Sequence, residues 1–227
     1  MVGVNSGVGD IRPLEELNEA AEREWLEGWT RGPSEGVVAL LSAGSPAPTV
    51  DLRNASGLAV SLSDFWADGP ALVMFWRHFG CTCGFERAAR LVDEFDAYVD
   101  AGMTPVVISQ GEPLRASEYR EKHQIPAPIL SDPDHEAYRA FGVGHWAVEQ
   151  VLFDAPAEYW SHPKQLGVEF QDGRREEGRP PVDDPWRAAA EFVIGSDGII
   201  RLAYAYQYCE DFPDARVLTT AAHLADS

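Results

Sequence analysis

Residues 71–76, Ala-Leu-Val-Met-Phe-Trp, are six apolar residues in a row, ended by Arg77 and His78. A run this short and this apolar reads as a strand buried on both faces, the kind found inside a sheet covered by helices on each side. A turn through Phe79-Gly80 follows, then Cys81 and Cys83, one residue apart, and then a helical repeat. A strand that enters a helix through cysteines places thiols at a helix N-terminus. Partial positive charge and free N–H groups there favour thiolate over thiol.

The flanking segments extend this unit. Gly84–Ala101 carries Phe85, Ala88, Val92, Phe95 and Val99 at alternating steps of three and four, which predicts a helix with these residues on its buried face and Gly102 as its stop. Thr104–Ser109 reads as a second buried strand, Pro113–His123 as a polar helix, Ile129-Leu130 as a short strand, and His135–Phe141 as a helix closed by Gly142. Upstream, Val50–Arg53 and Leu58–Leu62 flank the turn Asn54-Ala-Ser-Gly, and Ser63-Asp-Phe-Trp reads as a helical turn. Downstream, Glu191–Ile194 and Ile199–Tyr206 flank Gly195-Ser-Asp-Gly, a hairpin turn, and a helix follows over residues 214–225. Alternating strands and helices predict βαβ units, hence an α/β fold with a parallel sheet centre, an added antiparallel hairpin and a closing helix.

Two regions stand outside this pattern. Residues 1–45 form an N-terminal helical extension to a main domain spanning 46–227. A helix over 13–31 places Leu14, Leu17, Ala21, Trp25 and Trp29 on one face, and a second short helix over 34–42 carries Val37, Val38, Leu40 and Leu41. This pair is expected to pack on the main domain or on a second copy, which makes a homodimer one expectation. Residues 145–190 fit no clean period and read as a long insertion before the C-terminal hairpin. They hold Trp146, Phe153, Tyr159, Trp160, Phe170 and Trp186, with a charged Gly/Pro-rich stretch over 171–181. Such a segment is a binding loop or lid, or else a surface insertion.

The 37 acidic and 18 basic residues give a net charge of −19. Nucleic acid and anionic membrane surfaces need a basic footprint, so neither is expected as a partner. No apolar stretch approaches the ~20 residues that cross a bilayer. The first ten residues lack the basic and apolar regions of a secretion signal, and a cytoplasmic location is expected. Three cysteines are too few for a disulfide-stapled secreted fold.

Several pieces, in this order, resemble the peroxiredoxin-like branch of the thioredoxin superfamily, the alkyl hydroperoxide reductase/thiol-specific antioxidant type. They are Pro46-Ala-Pro before a strand–turn–strand, Ser61-Leu-Ser-Asp-Phe, the buried strand with Arg77-His-Phe-Gly-Cys81, Pro128-Ile-Leu-Ser-Asp-Pro-Asp, Ala137-Tyr-Arg-Ala-Phe-Gly and Phe192-Val-Ile-Gly-Ser-Asp-Gly. The similarity covers about 46–144 and 191–226. It implies a thioredoxin-like fold, a central mixed sheet flanked by helices, with the active thiol at the N-terminus of the helix near 84. The chain also departs from the family pattern. A peroxiredoxin carries Thr or Ser three residues before its reactive cysteine and Pro four residues earlier still; counting back from Cys81 gives His78 and Met74. A thioredoxin has two residues between its cysteines and a cis-proline before the facing strand; here the spacer is Thr82 alone, and Ala189-Ala190 occupies the proline's place.

The residues suggest a thiol-dependent oxidoreductase. Cys81 is the nucleophile, attacking a disulfide or a peroxide. Cys83 resolves it, since positions i and i+2 can reach disulfide spacing. Arg77 and His78 add positive charge, a cellular thiol returns the electrons, and no dissociable cofactor is needed. Cys209, just past the last strand, is either a second resolving thiol or an inert one. Two rival readings remain. One is a copper or zinc site built from Cys81, Cys83, His78 and Cys209. The other is a redox-inactive interaction scaffold. The spacing Cys81 to Arg87 also matches a phosphatase loop, but Glu86 would repel phosphate. Asp132-Pro-Asp-His reads as the acidic start of a helix rather than as a metal cluster.

Overall fold

The computed structural model describes residues 12–34, 39–153, 163–176 and 183–224. Seven strands make one mixed sheet: β1 (Asp51–Arg53), β2 (Ala59–Ser61), β3 (Ala71–Phe75), β4 (Thr104–Ser109), β5 (Ile129–Ser131), β6 (Ala190–Ile194) and β7 (Ile200–Ala205). Their order is β2-β1-β5-β4-β3-β6-β7. β3, β4 and β5 run parallel, while β1, β2, β6 and β7 join antiparallel. The α-helices among the described residues are α1 (Leu14–Arg31), α2 (Thr82–Asp100), α3 (Pro113–Lys122), α4 (Glu136–Ala140), α5 (Val148–Val151), α6 (Pro163–Glu176) and α7 (Ala215–His223). None of the described helices is long and apolar enough to cross a membrane.

β3 sits between β4 and β6 with every side chain buried. Because successive strand residues point to opposite faces, the apolar run divides between two cores. Val73 and Phe75 pack with Tyr138, Phe141, Trp146 and Phe192 on one face. Leu72 and Met74 pack with Leu91 and Tyr98 of α2, Tyr119 of α3 and Leu218 of α7 on the other. Full two-sided burial explains why β3 shows no alternation in the sequence.

The buried stripe of α2 differs from the predicted one. Cys83, Arg87, Ala88, Leu91 and Tyr98 face inward, while Val92 and Val99 are 39% and 49% exposed. The cause lies on β6. Glu191 is opposite Met74 and fully buried beneath α2. A carboxylate there requires a cation. Arg87 supplies it, with Nε 2.7 Å from Glu191 Oε1 and Nη2 3.2 Å from Oε2. The Tyr206 hydroxyl donates to the same carboxylate. An apolar repeat cannot register a helix turned by an ion pair.

The extension also differs. α1 forms as expected, and its Trp25 stacks on Trp29, which stacks in turn on Trp186 of the same chain (centroids 5.2 and 5.0 Å). Of the predicted 34–42 helix, residues 35–38 lie outside the described residues, and 39–42 are not helical. This segment runs beside the end of α4, with Ala39 N–H donating to Gly142 O (3.1 Å) and Leu41 N–H to Phe141 O (3.2 Å). Gly142 has φ +75°, and a Cβ there would overlap the Ala39 carbonyl. Residues 145–190 are not one structureless insertion. They include α5 and α6, and 183–190 are buried. Tyr159, Trp160 and 177–182 lie outside the described residues, as does 225, the expected end of the last helix.

Arg87→Met should lower stability by about 3–5 kcal/mol, because it strands a buried carboxylate. Adding Glu191→Gln should recover at least half of that loss. Urea unfolding midpoints of the single and double variants check this.

Candidate active site

β3 delivers the chain to the site as a continuation of the sheet. The Trp76 N–H donates to Ile108 O (3.0 Å), and the Tyr138 hydroxyl donates to Trp76 O (2.6 Å). The chain then turns tightly, with Cys81 N–H donating to His78 O (3.1 Å) and Gly84 N–H to Cys81 O (3.0 Å). Phe79 anchors the turn by stacking on Tyr119 at 4.4 Å. Gly111 permits this, since a Cβ there would overlap the Phe79 ring. α2 begins at Thr82, two residues earlier than the apolar pattern indicates, so Cys81 is its N-cap and Cys83 lies in its first turn.

Cys81 and Cys83 are joined in a disulfide with Cα atoms 5.3 Å apart. They are only 6% and 5% exposed. Cys209 is free and half-buried, and the three sulfurs lie within 4.8 Å of one another. Arg77 links them. Its Nη1 is 3.3 Å from Cys81 Sγ and 2.9 Å from Cys209 Sγ.

Arg77 is held from the other side by a strap that precedes β6. Nη2 donates to Pro185 O and Nε to Arg187 O (3.4 Å), and the guanidinium lies 4.9 Å from the centroid of the Trp146 ring. Pro185 therefore serves through its carbonyl, while Ala190 pairs with Phe75 at the start of β6. Arg115 anchors the strap by pairing with Asp183. Asp184 accepts the Trp186 N–H (2.9 Å) and pairs with His145 Nε2 (2.6 Å). Trp186 Nε1 donates to Gly28 O (2.7 Å), which ties the strap to α1. Burial alone would raise Asp184. The hydrogen bond and electrostatic pull of His145, with the Trp186 N–H and Arg187, instead bring it down to about 2.

The structure thus gathers Cys81, Cys83, Arg77 and Cys209. His78 is buried in the turn, and its backbone carbonyl is what meets Cys81. The four-ligand metal set of Cys81, Cys83, His78 and Cys209 does not assemble: among the described residues the clustered ligands are the three cysteines alone. Two of these sulfurs are bonded to each other, and a guanidinium lies against the third, where a metal cation would meet like charge. Arg87 pairs with Glu191, so the phosphatase spacing has no structural counterpart. Asp132 caps α4 through the N–H groups of Glu136 (2.8 Å) and Ala137 (2.9 Å). The strap carbonyls and Trp146 escaped the sequence reading. The only signal for them was the cluster of tryptophans in a segment without period.

The sequence model of the AhpC/TSA family matches residues 43–203. Peroxiredoxin Bcp of Escherichia coli is 35% identical over 106 residues, covering 45% of this chain and 65% of that protein. Peroxiredoxin Q, chloroplastic, of rice (Oryza sativa subsp. japonica) is 32% identical over 117 residues, 50% of this chain and 52% of that one. Thioredoxin-like protein AAED1, chloroplastic, of Arabidopsis thaliana is 34% identical over 92 residues, 40% of this chain and 37% of that one. The chain thus spans between 37% and 65% of the lengths of these relatives. Among solved structures, peroxidoxin BcpB of Mycobacterium tuberculosis superposes with a TM-score of 0.59 at 17% identity, covering 82% of this chain and 99% of that one. Peroxiredoxin Q of Xanthomonas campestris gives 0.54 at 12% identity, covering 84% and 99%. These structures share the thioredoxin-like fold.

Asp184 has a folded-state pKa below its unfolded value of 3.8, so its stabilisation is complete above the unfolded value and is lost as pH falls to about 2. Asp184→Asn should cost about 2 kcal/mol at about pH 6. The gap from the parent protein should close as pH falls through the window between those two pKa values. Urea titrations at several pH values measure it.

Proposed function

The chain belongs to the AhpC/TSA family, and on that premise we propose that it is a thiol-dependent peroxide reductase with Cys81 as the sulfur that meets peroxide. The observation that carries this reading is the Cys81–Cys83 disulfide at the start of α2 with the Arg77 guanidinium against Cys81 Sγ. Relatives named peroxiredoxins support it.

In the reduced protein the Cys81 thiolate attacks the nearer peroxide oxygen. The O–O bond breaks, the alkoxide or hydroxide leaves and takes a proton from water, and Cys81 becomes a sulfenic acid. The Cys83 thiolate then attacks that sulfur, hydroxide departs, and the disulfide forms. Two thiols of a cellular reductant restore both cysteines and leave as a disulfide. The helix start and Arg77 favour negative charge at Cys81.

His78 stands where the family pattern has a hydroxyl residue. In this chain Arg77 takes over the polar role beside the sulfur, and His78 shapes the turn through its carbonyl. A guanidinium keeps its charge at all relevant pH and presents several donors, so it can serve thiolate and peroxide oxygen together. The near-complete burial of both sulfurs favours a small hydroperoxide as substrate. A reducing compartment such as the cytoplasm suits the cycle, because the disulfide must be reopened at each turn.

The purified protein should consume hydrogen peroxide when supplied with glutathione. Cys81→Ser should abolish this, and Cys83→Ser should accumulate a sulfenic acid that dimedone traps and mass spectrometry detects. Arg77→Met should slow the peroxide step by about 10- to 100-fold, with partial rescue in Arg77→Lys. Peroxide consumption by Cys81→Ser at the parent rate would overturn the assignment.

A further inference from the structure

Reduction of the disulfide poses a problem of access. Cys81 and Cys83 are almost wholly buried, and a thiol reductant must place its own sulfur in line with the bond it breaks. Cys209 is the third sulfur of the cluster and the one with partial access to solvent. Its setting is built. Trp146 Nε1 donates to Tyr206 O (2.9 Å), and Asp211 accepts from the Gln207 N–H (2.9 Å) and the Tyr204 hydroxyl (2.8 Å). These bonds fix the turn after β7 on both sides of Cys209. Arg77 Nη1 then bridges Cys209 and Cys81.

We propose that Cys209 is a relay thiol: it takes over the Cys81–Cys83 disulfide and presents it to the reductant. The proposal rests on the thiol-peroxidase reading and adds a reacting residue to it. The Cys209 thiolate attacks Cys83 Sγ. The bond from Cys83 to Cys81 breaks, a Cys83–Cys209 disulfide forms, and Cys81 leaves as a thiolate. No electrons enter or leave the protein in this exchange. Arg77 explains the direction of attack, because the same Nη1 faces the sulfur that loses negative charge and the sulfur that gains it. Cys81 is thereby returned to its peroxide-reactive form before the reductant arrives. A reductant thiolate then attacks Sγ of the half-buried Cys209 and releases Cys83. A second reductant thiol resolves the mixed disulfide, restoring Cys209 and leaving as reductant disulfide. The two thiol protons end on the protein cysteines.

Linkage mapping on the full chain tests this. Diamide oxidises the protein without any peroxide step, so the map is readable whatever the substrate. After blocking of free thiols and tryptic digestion without reductant, Cys81 and Cys83 share the peptide 78–87 and Cys209 lies in 202–216. The parent protein should give both the looped peptide 78–87 and a cross-link between 78–87 and 202–216. Cys81→Ser should give the cross-link alone, as Cys83–Cys209. Reduction of the diamide-oxidised protein by glutathione should be about tenfold slower in Cys209→Ser than in the parent. Absence of the cross-link from both proteins, or equal reduction rates, overturns the relay. Failure of the parent protein to consume peroxide would instead count against the peroxidase reading and leave the linkage result standing.

Discussion

One guanidinium organises the cysteine cluster of this molecule. Arg77 follows the central strand and spends its donors in two directions, toward two sulfurs and toward two carbonyls of the strap before β6. The indole of Trp146 covers its face. Arginine suits this post because a planar fork can satisfy several acceptors at once and keep its charge when buried. A lysine would carry the charge without the geometry.

The strap is held in turn by polar side-chain pairs. Arg115 pairs with Asp183, and His145 pairs with Asp184, which together fix the carbonyls that Arg77 needs. Trp186 extends the connection to α1, so the N-terminal helix braces the strap through the Trp29–Trp186 stack and the hydrogen bond from Trp186 to Gly28 O. The extension is therefore part of the framework of the site. On the far side of the sheet, Arg87 and Glu191 set the rotation of α2, and with it the position of Cys83 in the first helical turn.

Against its family, the chain keeps the fold and changes residues at the turn. His78 and Met74 replace the hydroxyl and the proline of the usual pattern. Met74 is a core residue of β3, and His78 contributes a backbone carbonyl. The polar partner of Cys81 Sγ comes from the position just before His78, as Arg77. Cys83, the disulfide partner of Cys81, lies two residues away in sequence, so the link closes within the turn itself.

Sequence alone was sufficient for the strands, for α1 to α4 and α7, and for the placing of two cysteines at a helix start; it gave neither α5 nor α6, and the helix it placed over 34–42 is not one where described. These follow from local rules: a doubly buried strand is uniformly apolar, helices repeat near 3.6, and glycine marks their ends. It also gave the face of α1, because apolar packing of Leu17, Ala21, Trp25 and Trp29 largely sets that face. It failed where long-range polar contacts decide. The register of α2 answers to Glu191, about a hundred residues away, and the stretch before β6 is a clamp because Arg77 needs its carbonyls. The proximity of Cys209 to Cys81 and Cys83 belongs to the same class. Such pairings have no period, since an ion pair or a hydrogen bond is satisfied by position in space, and position in space exists only once the sheet has brought distant segments side by side.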